Sequence, residues 1–168
     1  ERQRPDEKKE ARSLRDPPAA FPPKQRAIHD VLRARAPGSV LDIGANTGWY
    51  SMLAANLGAS VIALEEDESC VDILYGQARR QELRILPLKL AFGDLAREIH
   101  GSRTTVPHYD YSQAGPQALY RAGVDRLGAD LWLVLGLLHH LVLGEGRSLD
   151  AVFGTLQRLA RKTLVLEF

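Results

Sequence analysis

Asp42, Glu65 and the adjacent pair His139-His140 are side chains suited to chemistry, and each closes or follows an apolar run. In VLDIGANTGWYS, Val40, Leu41 and Ile43 read as a buried parallel strand, and Gly44 and Gly48 frame a turn whose bare backbone can approach a ligand. A helix then starts at about Gly48, with Trp49, Met52, Leu53 and Leu57 at helical spacing to lie on a sheet.

The ligand class follows from what this loop lacks. Gly44-Ala45-Asn46-Thr47-Gly48 is not a GxGxxG fingerprint and has no Lys-Ser/Thr pair, so pyrophosphate is disfavoured. A carboxylate at Asp42 repels phosphate and welcomes an ammonium, directly or through water. Twenty-three residues further on, the strand Ser60 to Leu64 ends in Glu65, the position from which an acid accepts hydrogen bonds from ribose hydroxyls. Asp67 suits the N-cap of the next helix, Asp67 to Gln81. The expected ligand is a cationic, ribose-bearing molecule without phosphate.

With these segments in view, the chain resembles the class I S-adenosylmethionine-dependent methyltransferases, VLDIGANTG standing as their glycine loop and VIALEED as their second, acidic strand end. ADLWLVLGLLHHL, Ala129 to Leu141, is similar to the fourth strand and following loop of a bacterial subgroup, and the resemblance runs from about Phe21 to Phe168. It implies S-adenosylmethionine as cofactor, bound by Asp42, Gly44, Ala45, Asn46, Gly48 and Glu65, with Gly136 at the end of the fourth strand. Lys24, opening a helix that covers the cofactor, would reach the methionine carboxylate, or is simply solvated. Asp94 would accept from the adenine amine, or is the N-cap of a helix from Leu95 to His100.

The implied architecture is a Rossmann-like, doubly wound, mostly parallel α/β sheet of order 3-2-1-4-5. Arg84 to Leu90, Asp130 to Gly136 and Thr163 to Phe168 are its third, fourth and fifth strands, and the helix Lys24 to Ala36 precedes the first. The family's strands 6 and 7 are lacking, so TLVLEF would be an apolar edge needing cover by another copy, another domain or further sequence. The domain is therefore read as 21–168 and C-terminally incomplete. Residues 1–20 form a charged, proline-rich tether, with six basic and five acidic residues among the first 16.

The histidines follow the fourth strand, where a transferable methyl would be presented. Zinc is disfavoured, because neighbours on a strand diverge and no Asp, Glu or Cys stands at ligand spacing. Either His139 or His140 can instead act as general base for an attacking hydroxyl or amine, against the alternative of a histidine hydrogen-bonded beneath the next helix. His108, Tyr109, Asp110 and Tyr111 lie in an irregular stretch suited to a lip over the pocket, or to an ordinary exposed loop, before a helix from about Pro116.

Composition sets limits. One domain fits 168 residues that are 45% hydrophobic, and a net charge of +1 favours neither nucleic acid nor an anionic membrane. Cys70 is the only cysteine, which fits a reducing cytoplasm, and it joins Ile73, Leu74 and Ala78 on one helical face. Leu131 to Leu143 is too short to span a bilayer. Leu149, Val152, Phe153, Leu156 and Leu159 form a core stripe on a helix from Ser148 to Lys162, whose Arg158, Arg161 and Lys162 suit its C-terminal dipole. The expectation is methyl transfer to a small-molecule O, N or C nucleophile. The alternatives are a cofactor-binding or scaffolding module without turnover, and an RNA or protein methyltransferase.

Overall fold

Five short apolar runs become strands: β1 (Ser39–Ile43), β2 (Ser60–Glu65), β3 (Ile85–Lys89), β4 (Leu131–Val134) and β5 (Thr163–Leu166). The computed structural model describes residues 14, 17–99, 127–160 and 162–167, without the side chains of 96–99, 158 and 159. All four strand pairings are parallel and the order is β3-β2-β1-β4-β5, as the sequence predicts. Most of the expected tether, the lip residues His108 to Tyr111 and the helix from Pro116 lie outside the described residues.

Parallel strands covered on both faces need apolar residues throughout, and β4, Leu-Trp-Leu-Val, is buried at every position. Among the described residues the α-helices are α1 (Pro23–Arg35), α2 (Trp49–Asn56), α3 (Glu68–Arg80), α4 (Phe92–Ile99) and α5 (Leu149–Leu159). On one face Ile28 and Leu32 of α1 and Leu53 and Ala54 of α2 pack on Val40, Val61, Leu131 and Leu133. Leu74 of α3 continues this layer against Ala63. On the other face Phe92 and Leu95 of α4 and Val152 and Leu156 of α5 close over Leu41, Ile43, Leu64 and Trp132. No described helix is long and apolar enough to cross a membrane.

Local signals account for the boundaries. Pro23 opens α1 at a position where its missing N–H costs nothing. Asp67 caps α3 by accepting from the Ser69 N–H at 2.8 Å, and Ser148 caps α5 by accepting from the Ala151 N–H at 3.2 Å. Pro87 sits within β3, tolerated because β3 is an edge strand.

Three expectations about burial change at the margins of the sheet. Ile73 is 46% exposed and Cys70 only half-buried, because α3 packs over the β3 edge and buries Leu74 and Ala78 alone. Leu149 and Phe153 are exposed for the same reason at the β5 edge, where α5 buries Val152 and Leu156. Leu57 lies beyond the end of α2 and is exposed.

At the N-terminal ends of the strands, Ser39 and Asp130 exchange three hydrogen bonds. Ser39 N and Oγ donate to Asp130 Oδ2 at 3.1 and 3.2 Å, and Asp130 N donates to Ser39 Oγ at 3.0 Å. Lys162 donates to Asp130 Oδ1, so it joins this knot rather than a helix terminus; α5 has already ended at Leu159. The Lys162 ammonium, with help from Ser39, holds the Asp130 carboxyl below the usual range.

Candidate functional site

The loop after β1 is shaped by two glycines in the left-handed region, Gly44 at φ 74° and Gly48 at φ 85°. Gly48 has a second constraint, since a Cβ there would stand 2.2 Å from Leu74 Cδ1, so α3 can press on the loop only if this position is bare. Asn46 also takes a positive φ, 51°, and its Oδ1 accepts from the Thr47 N–H at 2.6 Å.

Every backbone N–H from Gly44 to Gly48 is bonded inside the protein. Gly44 and Ala45 donate to Leu64 O at 2.9 and 3.0 Å, Asn46 to Glu65 Oε2 at 2.8 Å, Thr47 to the Asn46 side chain, and Gly48 to Ala45 O at 2.9 Å. A phosphate-cradling loop works by the opposite arrangement, with its amides turned outward.

Asp42 completes that exclusion. Its side chain points from β1 under the start of α2, only 2% exposed, and Oδ2 accepts from Ser51 Oγ at 2.6 Å. The Ser51 backbone assists as well, so the anion near the α2 N-terminus is one the protein supplies itself. Burial pushes the Asp42 carboxyl up from 3.8 to about 6; Ser51 opposes the shift and the negative charge of Glu65 adds to it. The sequence placed Asp42 at an open strand tip, whereas the fold places it beneath the loop because α2 starts directly above. Ser51 was missed; its one signal is a hydroxyl on the inward face of an otherwise apolar helix.

Glu65 stands at the tip of β2. Oε1 accepts from the N–H groups of Glu66 and Asp67 at 2.8 and 3.0 Å while Oε2 holds Asn46, so its carboxylate is aimed along the loop. The Leu90 N–H donates to Glu65 O at 3.0 Å, which ties the chain entering α4 to the same tip. Asp94 is in the first turn of α4, whose helix begins at Phe92. The alternative of an N-cap is thereby corrected: the chain turns helical earlier because Phe92 is buried against the sheet.

Beyond β4, Gly136 takes φ 67°, and a Cβ on Gly44 would lie 3.4 Å from Leu137, so the turns after β1 and β4 abut. Lys24 is ion-paired with Glu167 at 2.8 Å and lies 5.5 Å from the centre of the Tyr50 ring, which replaces the simply solvated reading. Phe21, Trp49 and Tyr50 stack edge to face beside it, with centroids 5.4 and 4.9 Å apart. Sequence reasoning missed Glu167.

His139 and His140 do not diverge as strand neighbours do. Strand β4 ends at Val134 and His139 is already helical, opening a π-helical turn from His140 to Gly144. In that geometry Leu138 and Leu141 turn inward and the histidines face solvent together, ring centroids 4.1 Å apart. Both are exposed, which removes the alternative of a histidine buried beneath the next helix. Among the described residues no three His, Cys, Asp or Glu side chains converge as a metal site.

No family model matches the chain, and no curated protein matches it in sequence. Solved structures do match in fold. WbdD, described as a bifunctional kinase-methyltransferase, is 21% identical with a TM-score of 0.56, over 84% of this chain and 26% of that one. TehB from Haemophilus influenzae is 14% identical with a TM-score of 0.53, over 82% of this chain and 36% of that one. The hypothetical protein TTHA0928 of Thermus thermophilus is 20% identical with a TM-score of 0.55, over 90% of this chain and 75% of that one. This chain thus spans well under two thirds of WbdD and of TehB. Strand order, the glycine turn after β1 and these likenesses agree: the chain carries the class I methyltransferase fold.

Proposed function

We propose that this protein binds S-adenosylmethionine and directs its methyl group to an O, N or C nucleophile of a small molecule. The observation that carries the reading is the loop in which all five amides from Gly44 to Gly48 are spent internally over a buried Asp42. Such a loop rejects phosphate and suits a cationic nucleoside. When bound, the cofactor supplies an electrophilic methyl on a sulfonium.

The chain's own residues align the two reactants, an effect worth several kcal/mol of a bimolecular barrier. Gly44 and Gly48 give the loop its left-handed turns and let Leu137 and Leu74 pack behind it, which sets the path of the backbone toward the nucleoside, and Glu65 accepts from the ribose hydroxyls. Ala45 and Asn46 line the same turn, Asp94 faces the adenine from α4, and Gly136 leaves room at the tip of β4. His139 or His140 takes the proton of an acceptor that needs deprotonation. The single cysteine supports a cytoplasmic setting. The outer edge of β5 has no neighbouring strand among the described residues, which supports a covering copy or domain there.

Calorimetry with S-adenosylmethionine, S-adenosylhomocysteine and NAD tests the reading. Binding of the first two and not the third is expected, and preference for NAD would overturn it. A binding module without turnover is the second reading, favoured by the solvent-facing position of both histidines. Affinity for the cofactor with no methyl transfer to any panel of small nucleophiles would favour it.

A further inference from the structure

Two glycines place one guanidinium at the rim of the sheet where β3 and β4 end. Gly146 takes φ 65° with open space around it, so the backbone turn itself calls for glycine there. Beyond this turn Arg147 is half-buried, while residues 143–146 before it and 148–150 after it are exposed. Gly93, in the first turn of α4, is bare for another reason: a Cβ there would stand 2.6 Å from Arg147 Nη2 and 3.7 Å from Arg147 Cζ. The guanidinium therefore rests on the α4 backbone.

The loop that carries Arg147 is tied down. Glu145 N donates to His140 O and Arg147 N donates to Leu141 O, both at 3.0 Å, and Leu141 is buried in the core. Arg147 and the exposed His139-His140 pair thus belong to one closed loop. Arg147 Nε donates to Glu145 Oε2 at 2.6 Å, and among the described residues no acceptor reaches Nη1 or Nη2. The Arg147 side chain is 32% exposed, so those two groups remain open to a ligand. Glu145 fixes the fork without filling it. An arginine held at its backbone, at Nε and against Gly93 has already surrendered much of the freedom that binding would cost it.

We propose that Arg147 is a specificity residue for the methyl acceptor, its Nη1 and Nη2 donating to an anionic group, carboxylate or phosphoryl, carried by that small molecule. The planar fork matches two oxygens of either group. This inference rests on the methyl-transfer reading and names its substrate class, an acid that also bears a hydroxyl or an amine. The acceptor oxygen or nitrogen gains the methyl, its proton goes to a histidine or to water, and S-adenosylhomocysteine leaves. The inward amides of the loop after β1 turn phosphate away from the cofactor's place, not from the acceptor's.

NMR of the full chain, following the amides in the first turn of α4, tests this with acetate, inorganic phosphate and neutral acetamide at constant ionic strength and saturating S-adenosylhomocysteine. Saturable shifts with acetate or phosphate and none with acetamide are expected, and the tighter anion tells carboxylate from phosphoryl. Arg147→Gln should weaken that anion about tenfold or more, with S-adenosylhomocysteine bound as by the parent. Gly93→Ala, whose methyl displaces the guanidinium but keeps its charge, should weaken the anion in the same direction. Shifts that never saturate mean an adventitious ion only and overturn the proposal, as does an anion affinity unchanged in Arg147→Gln or matched by acetamide. Displacement of S-adenosylhomocysteine by the anion also overturns it, since Arg147 would then serve the cofactor. A chain that binds no S-adenosylhomocysteine overturns the methyl-transfer reading, and the same titrations without that ligand decide the anion site by itself.

Discussion

The Glu65 carboxylate receives the Asn46 N–H at 2.8 Å, so the acidic tip of β2 and the glycine loop after β1 are one hydrogen-bonded unit. A ribose bound by Glu65 would be held by a side chain whose direction the loop already sets. Glu65→Ala should weaken S-adenosylmethionine binding about tenfold to a hundredfold, the range for hydrogen bonds to a charged group. Unchanged affinity by calorimetry would remove Glu65 from the site.

Asp42 makes stability depend on pH in an unusual direction for a carboxylate. Its carboxyl is raised from 3.8 to about 6, so the folded chain holds the proton more tightly than the unfolded one. The contribution is complete below pH 3.8 and is lost as pH rises through about 6. Two pH units correspond to about 3 kcal/mol. In urea titrations the stability difference between the parent and Asp42→Asn should shift against the parent by that order between pH 4 and pH 7.5. Parallel curves across the range would contradict the assignment.

Gly48 is constrained twice, by φ 85° and by Leu74 at its back. Leu74 is fully buried and has nowhere to retreat. Gly48→Ala should therefore destabilise the fold by about 3 kcal/mol, summing a left-handed alanine and an overpacked core. A fall in Tm of roughly 6 to 12 °C is the expected readout. Gly58, also at positive φ but with open space around it, supplies the control: Gly58→Ala should cost only the backbone part.

His139 and His140 are exposed, with rings tilted against each other, so neither supports the core. Alanine at either position should change stability by no more than about 0.5 kcal/mol. If one is the general base, its replacement should lower kcat for a hydroxyl acceptor while leaving cofactor affinity intact. Unchanged kcat in both single variants would return the pair to a surface role.

Much of the architecture was legible because local signals and tertiary needs agree. The apolar runs at Val40 and Val61, the glycine turn, and the cap Asp67 each declare themselves within a few residues. What failed were inferences about direction. His139 and His140 were read as strand neighbours, and only the early end of β4 turns them to one side. Ile73 and Phe153 fit helical stripes, but a stripe cannot tell that its helix sits at the margin of a sheet. Lys24 and Glu167 come from opposite ends of the chain, and no spacing rule joins α1 to the residue after β5.

The knot of Ser39, Asp130 and Lys162 ties β1, β4 and the approach to β5 at the margin opposite the loops that follow β1, β2 and β4. Under the proposed reading, anchorage and recognition fall to different rims of one sheet. Substitutions at the loop rim would then retune what is bound without slipping the alignment of the strands, so that the scaffold changes its clientele while keeping its frame.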